Sequence, residues 1–110
     1  MDEQIMEYLK RYHTGESRAV SSRELESAFG LRGAELRKTV NRLRRGGFPL
    51  CSSSQGYYRA ETEEELTHTI RQLLSRSREI TAAASGMMKA MRLYRDDGQL
   101  SLPLDGGDGA

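Results

Sequence analysis

A single cysteine, Cys51, among 110 residues leaves no way to close a disulfide within the chain, and a reducing, cytoplasmic setting is expected. The sequence has no long unbroken apolar run and no charged, apolar leader, so neither a membrane span nor a secretory signal is expected. Its two histidines, His13 and His68, stand apart from any plausible nucleophile or metal-ligand set, and Gly106, Gly107 and Gly109 belong to a tail rather than to a phosphate-binding loop. The expectation is a protein that is not an enzyme and has no metal and no cofactor. Its length is that of one domain, enough for a small core.

Acidic residues are scarce in one place above all. Seventeen Lys and Arg against sixteen Asp and Glu give a net charge of +1, but the charges are segregated. Residues 32–45 carry Arg32, Arg37, Lys38, Arg42, Arg44 and Arg45 with Glu35 as the sole acid, whereas Glu61, Glu63, Glu64 and Glu65 cluster further on and the tail holds Asp96, Asp97, Asp105 and Asp108. Such segregation bears on partners more than the net value does.

Apolar spacing predicts the elements. Ile5, Leu9 and Tyr12 recur at i, i+4 and i+7, a helix stopped near Gly15. ESRAVSS follows as a loop with Val20 as its anchor. Ser21 stands three residues before Glu24 in a capping-box spacing, and Leu25, Ala28 and Phe29 give a two-turn helix ending at Gly30. Residues 33–46 form a third helix with Leu36, Val40 and Leu43 on one face. The opposite face collects Ala34, Lys38, Asn41 and Arg45, flanked by Arg37 and Arg42. An ordinary solvated face mixes acids with bases; this one does not. PLCSS and GYYRA then read as a hairpin around a Ser-Gln-Gly turn, with Cys51 half-buried and one of Tyr57 and Tyr58 in the core.

Three helices, the last basic, followed by a hairpin is the order of a winged helix-turn-helix. The stretch from Ser21 to Ala60 resembles the winged-helix DNA-binding domain of the biotin-repressor type, with the form S-x-x-E-L…F-G leading into L-R…V…L-R-x-x-G and a wing ending G-Y. The matching residues are Ser21, Glu24, Leu25, Phe29, Gly30, Leu36, Val40, Leu43, Gly47, Gly56 and Tyr57. About the first 90 residues also look like small prophage proteins of Gram-positive bacteria. The resemblance implies a mainly α fold with a small β-hairpin wing and binding of double-stranded DNA, and it implies no effector ligand. With the third helix in the major groove, Asn41 would pair with adenine and Arg42 or Lys38 with guanine, while Arg37, Arg44 and Arg45 sit nearer phosphates. Arg32 belongs to the same basic stretch. Ser52, Ser53, Ser54, Gln55 and Arg59 would touch the backbone or minor groove, or simply form a polar turn.

A long C-terminal helix is expected over residues 61–95, capped by Thr62 and Glu65. Leu66, Ile70, Leu73, Ser77, Ile80, Ala84, Met87, Met91 and Tyr94 keep a 4-3 spacing over about four heptads, which predicts a coiled coil and a homodimer joined through Leu73, Ile80, Ala84, Met87 and Met91. The alternative is a monomer whose helix ends near Gly86, with Met87, Met88 and Met91 as a protein-docking surface. Residues 96–110 are acidic and glycine-rich, a tail expected to be disordered in isolation. Within it QLSLPL resembles the peptide with which bacterial replication and repair proteins dock on the DNA polymerase sliding clamp. The resemblance implies Gln99 in a polar subsite and Leu100, Leu102 and Leu104 as apolar anchors, with Pro103 a departure from the commonest form. The leucines could instead fold onto the domain, and the tail's aspartates could screen the basic helix. A transcription or replication regulator of phage type is the leading functional expectation; a protein-binding adaptor or inhibitor of host machinery is the alternative.

Overall fold

The computed structural model describes residues 1–95. They divide into two units, Met1–Leu73 and the residues from Leu74 onward.

In the first unit, α1 (Asp2–Tyr12) opens with Asp2 and Glu3 and closes with Lys10 and Arg11, each charge opposing the helix dipole at its own end. Its buried residues are Ile5 and Leu9. Tyr12 does not join them: it is exposed, because α1 ends there and the core lies over the earlier turns. Tyr8 makes the lateral contact instead, edge-on to Phe29 at 5.3 Å between ring centroids. After a 3-10 turn (Glu16–Arg18), Ser21 Oγ accepts the Glu24 amide at 3.1 Å and starts α2 (Ser22–Phe29). Gly30 (φ 64) and the Leu31 amide on Glu26 O close it in a left-handed stop. So short a helix turns only Leu25 and Phe29 inward, and Ala28 stays exposed.

A three-residue link leads into α3 (Gly33–Arg45), whose Leu36, Thr39, Val40 and Leu43 are buried. Ile5, Leu9, Val20, Leu25, Leu36, Val40, Leu43 and Leu50 form one core cluster, each fully buried aliphatic side chain contributing about 1.5–3 kcal/mol. β1 (Leu50–Ser53) and β2 (Gly56–Arg59) pair antiparallel, with Cys51 opposite Tyr58 and Ser52 opposite Tyr57. The connecting loop does more than anchor Val20. Val20 and Tyr57 exchange two backbone hydrogen bonds of 2.8 Å, and Thr14 bridges to Arg59, so β2 is bonded along both edges. Cys51 is fully buried rather than half-buried, its thiol 3.6 Å from Glu65 O. Burial pushes the Cys51 thiol up, and it pushes the neighbouring Tyr58 hydroxyl up to about 12.

α4 (Glu63–Lys89) begins in this unit. Thr62 Oγ1 accepts the Glu65 amide at 3.1 Å, but the Glu65 carboxylate does not complete the expected box on Thr62. It accepts the Glu61 amide at 2.8 Å and the Glu16 amide at 3.0 Å, tying the 3-10 turn to the start of α4. These bonds, Glu16 first and Glu61 second, hold the Glu65 carboxyl below its ordinary 4.5. A depressed folded-state value makes the contribution fully present above the unfolded value and lost as pH falls through the folded one. Glu65→Gln is therefore expected to lower the unfolding free energy by about 1–2 kcal/mol at pH 7. Urea titrations should show the gap from the parent closing as pH drops below about 4.5.

In the second unit α4 runs through Gly86 and stops at Lys89, and a short α5 follows (Arg92–Arg95). The expected single helix over 61–95 is thus interrupted, and Met91 and Tyr94 fall outside α4. Ala90 and Met91 bond back three residues, to Met87 O and Met88 O, the tightening that ends an α-helix. Among the described residues, no helix is long and apolar enough to cross a membrane.

Candidate nucleic-acid interface

The outward side of α3 is set by its inward one. Burying Leu36, Val40 and Leu43 turns Arg37, Lys38, Asn41 and Arg45 to solvent. Arg32 caps the helix through its backbone, its amide donating to Glu35 Oε1 at 2.9 Å, and its side chain is exposed. Among the described residues Arg32, Arg37, Lys38 and Arg45 form no ion pair; the pairs present are Lys10 with Glu7 and Arg42 with Asp2.

Arg42 and Arg44 have structural work. Arg42 makes a two-pronged bridge to Asp2, Nε to Oδ2 at 2.7 Å and Nη2 to Oδ1 at 2.8 Å, and also donates to Thr39 Oγ1. The hydrogen bonds from Arg42 hold the Asp2 carboxyl below its ordinary range. Arg44 is half-buried and reaches β1, Nε to Leu50 O at 2.8 Å and Nη2 to Ser52 Oγ at 3.0 Å. The basic stretch thus separates into an outward group and two arginines that fasten α3, one to α1 and one to the hairpin.

In the hairpin, Ser53 Oγ accepts the Gln55 amide at 3.1 Å, which makes Ser53 a turn-forming residue and leaves Gln55 exposed at the tip. Arg59 is half-buried, its backbone bonded to His13 and Gly15. A cleft of about 320 Å³ between the start of α2 and the hairpin is lined by Ser21, Ser22, Ser52, Ser53, Ser54 and Gln55, a hydroxyl-rich surface. Asp2 and Thr39 escaped sequence reasoning, Asp2 because its partner lies elsewhere in the chain and Thr39 because threonine carries no core signal; Ser52, expected in the wing, is held by Arg44.

Of the expected dimer residues, Leu73, Ile80, Ala84 and Met87 are exposed on α4, Leu73 in the first unit and the others in the second, and Met91 sits in the turn beyond the helix. Gln99, Leu100, Leu102 and Leu104 lie outside the described residues. Among the described residues, no three His, Cys, Asp or Glu converge as metal ligands. The chain matches no protein-family model, no curated protein and no solved structure.

Proposed function

We propose that the chain is a winged-helix protein that binds double-stranded DNA with α3 in the major groove, acting as a regulator of transcription or replication of phage or mobile-element type. The observation that carries this reading is the outward face of α3. Arg37, Lys38 and Arg45 are exposed and unpaired among the described residues with Asn41 between them, and a rigid cationic helix with a central amide is what a major groove admits and reads. The hairpin fastened to α3 by Arg44 is the wing. Homodimerisation through Leu73, Ile80, Ala84 and Met87 belongs to the same reading, since two helices serve two half-sites. The QLSLPL tail is its tether to a sliding clamp, and the setting is cytoplasmic.

Fluorescence anisotropy with mixed-sequence duplex over a salt series tests it. A steep fall of log K with log salt is expected, and absence of binding at low salt would overturn it. The adaptor reading is favoured by one feature, an apolar groove of about 270 Å³ between Phe48, Pro49, Leu50, Leu66, Ile70 and Leu73; a protein ligand seated there would leave duplex binding absent. On the DNA reading Asp2 competes with the duplex for Arg42. Asp2→Asn is expected to tighten binding about two- to fivefold at low salt, the range of one exposed ion pair, and the gain should vanish at high salt.

A further inference from the structure

On α4 beyond Leu73, and on α5, the charges are nearly all of one sign. The described residues 74–95 carry Arg76, Arg78, Lys89, Arg92 and Arg95 against Glu79 alone, and none of the five cations has an ion-pair partner among the described residues. At 100° per residue Arg78, Ser85 and Lys89 fall within about 40° of one another, while Ile80, Ala84 and Met87 lie on the other side of the helix. After Lys89 the tightened turn brings Arg92 and Arg95 round to that same side, where they share a concavity of about 380 Å³ with Ser85, Met88 and Lys89. The helix dipole accounts for a cation at Lys89, but not for Arg78 in mid-helix or for two arginines past the helix end. Between Arg78 and Lys89 on this side stand Thr81, Ala82 and Ser85, with Met88 at its edge; the first three are short enough to let a broad polyanion approach the helix closely.

We infer that this face is a second, sequence-independent contact for the phosphate backbone of duplex DNA, a reading that rests on the proposed DNA-binding function. Arg78 and Lys89 are separated by about 16 Å along the helix, close to five base-pair steps of duplex, so the cations are spread along a line as phosphates are. The other polyanionic surface such a face could meet is an anionic membrane. A surface-lying helix needs bulky Leu, Phe or Trp along its buried stripe. Here the stripe opposite the cations carries Ile80 and Met87 but is broken by Ser77 and Ala84, Leu74 and Leu93 lie off it at the two ends, and residues 74–95 contain no Phe and no Trp, which favours DNA.

The test is anisotropy on mixed-sequence duplexes over a salt series with four proteins. These are the parent, the combined Arg78→Ala, Lys89→Ala, Arg92→Ala and Arg95→Ala variant, the α3 variant Lys38→Ala, Asn41→Ala and Arg45→Ala, and the two sets together. All seven positions are exposed, and unchanged helical circular dichroism confirms folding. The four-residue variant is expected to lose roughly three to four units of log–log salt slope, about 0.9 per phosphate contact, by the same amount on every sequence. The α3 variant should keep a weak, salt-sensitive binding that disappears only when the sets are combined. An unchanged slope in the four-residue variant overturns this inference and leaves the α3 reading in place. Binding abolished by the four-residue set but untouched by the α3 set does the reverse. Parent protein that ignores duplex DNA but sediments with phosphatidylserine vesicles overturns both and assigns the face to a membrane.

Discussion

Replacing Lys38, Asn41 and Arg45 together by alanine is expected to weaken binding to the preferred duplex at least about a hundredfold, while the unfolding free energy stays within about 0.5 kcal/mol of the parent. The two halves of that expectation have separate causes. All three side chains are exposed, and among the described residues no side-chain hydrogen bond or ion pair holds them. Their removal costs the fold little, and alanine is the best helix former. On the DNA side a well-placed amide or cation contributes about 1–3 kcal/mol of discrimination per base pair, so two lost base contacts already account for the factor. Asn41→Ala alone should relax preference at one base pair and leave the salt slope nearly untouched, whereas Arg45→Ala should lower the slope and leave preference intact. Arg44→Ala is the control that separates contact from scaffold, since it must destabilise the hairpin before it affects any ligand. Retained affinity and preference in the triple variant would remove α3 from the interface.

The second large effect concerns the hairpin's inner edge. Gly56→Ala is expected to destabilise the first unit by about 2–4 kcal/mol and to lower its melting temperature by roughly 10–20 °C. Gly56 has φ 128, a region that side chains rarely enter, and a Cβ built there would overlap the Val20 carbonyl oxygen. That oxygen belongs to backbone and cannot swing aside. Accommodating the methyl group therefore means moving Val20 away from Tyr57 and breaking the two 2.8 Å hydrogen bonds between them. Val20 is 2% exposed and part of the core cluster, so the displacement would propagate inward. Thermal unfolding followed by circular dichroism decides the matter; a change below about 1 kcal/mol would mean that the bridge contributes little.

The helices of the first unit were legible because their signals are local. Leu36, Val40 and Leu43 announce α3, Ser21 and Gly30 bracket α2, and the alternation of β2 puts one tyrosine, Tyr58, in the core, although Tyr57 is itself half-buried against that core. The errors arose where a side chain's neighbours come from distant sequence. Tyr12 has the right spacing for a core residue but lies where α1 has run past its partners. Cys51 is sealed where the first turn of α4 meets it through the Glu65 carbonyl, which nothing in PLCSS foretells. Glu65 reads as a local cap, yet it bonds the Glu16 amide 49 positions earlier in the chain. For the candidate interface, periodicity sorted inward from outward on α3, but not the outward cations available to a ligand from those already held. That distinction depends on Asp2 and Leu50, neither of which lies on the helix.

The two bonds from Arg44 to β1 have a consequence for the cost of recognition. Helix and hairpin, joined by the short Gly46–Pro49 connection, are cross-braced by this guanidinium into one frame with two prongs. A surface preset in this way surrenders only side-chain rotamer freedom on capture, about 0.5–1.5 kcal/mol for each long side chain immobilised, and no backbone ordering entropy. On the proposed DNA reading such a frame would discriminate by fit, meeting a groove whose width departs from the spacing of the prongs with a clash rather than an accommodation.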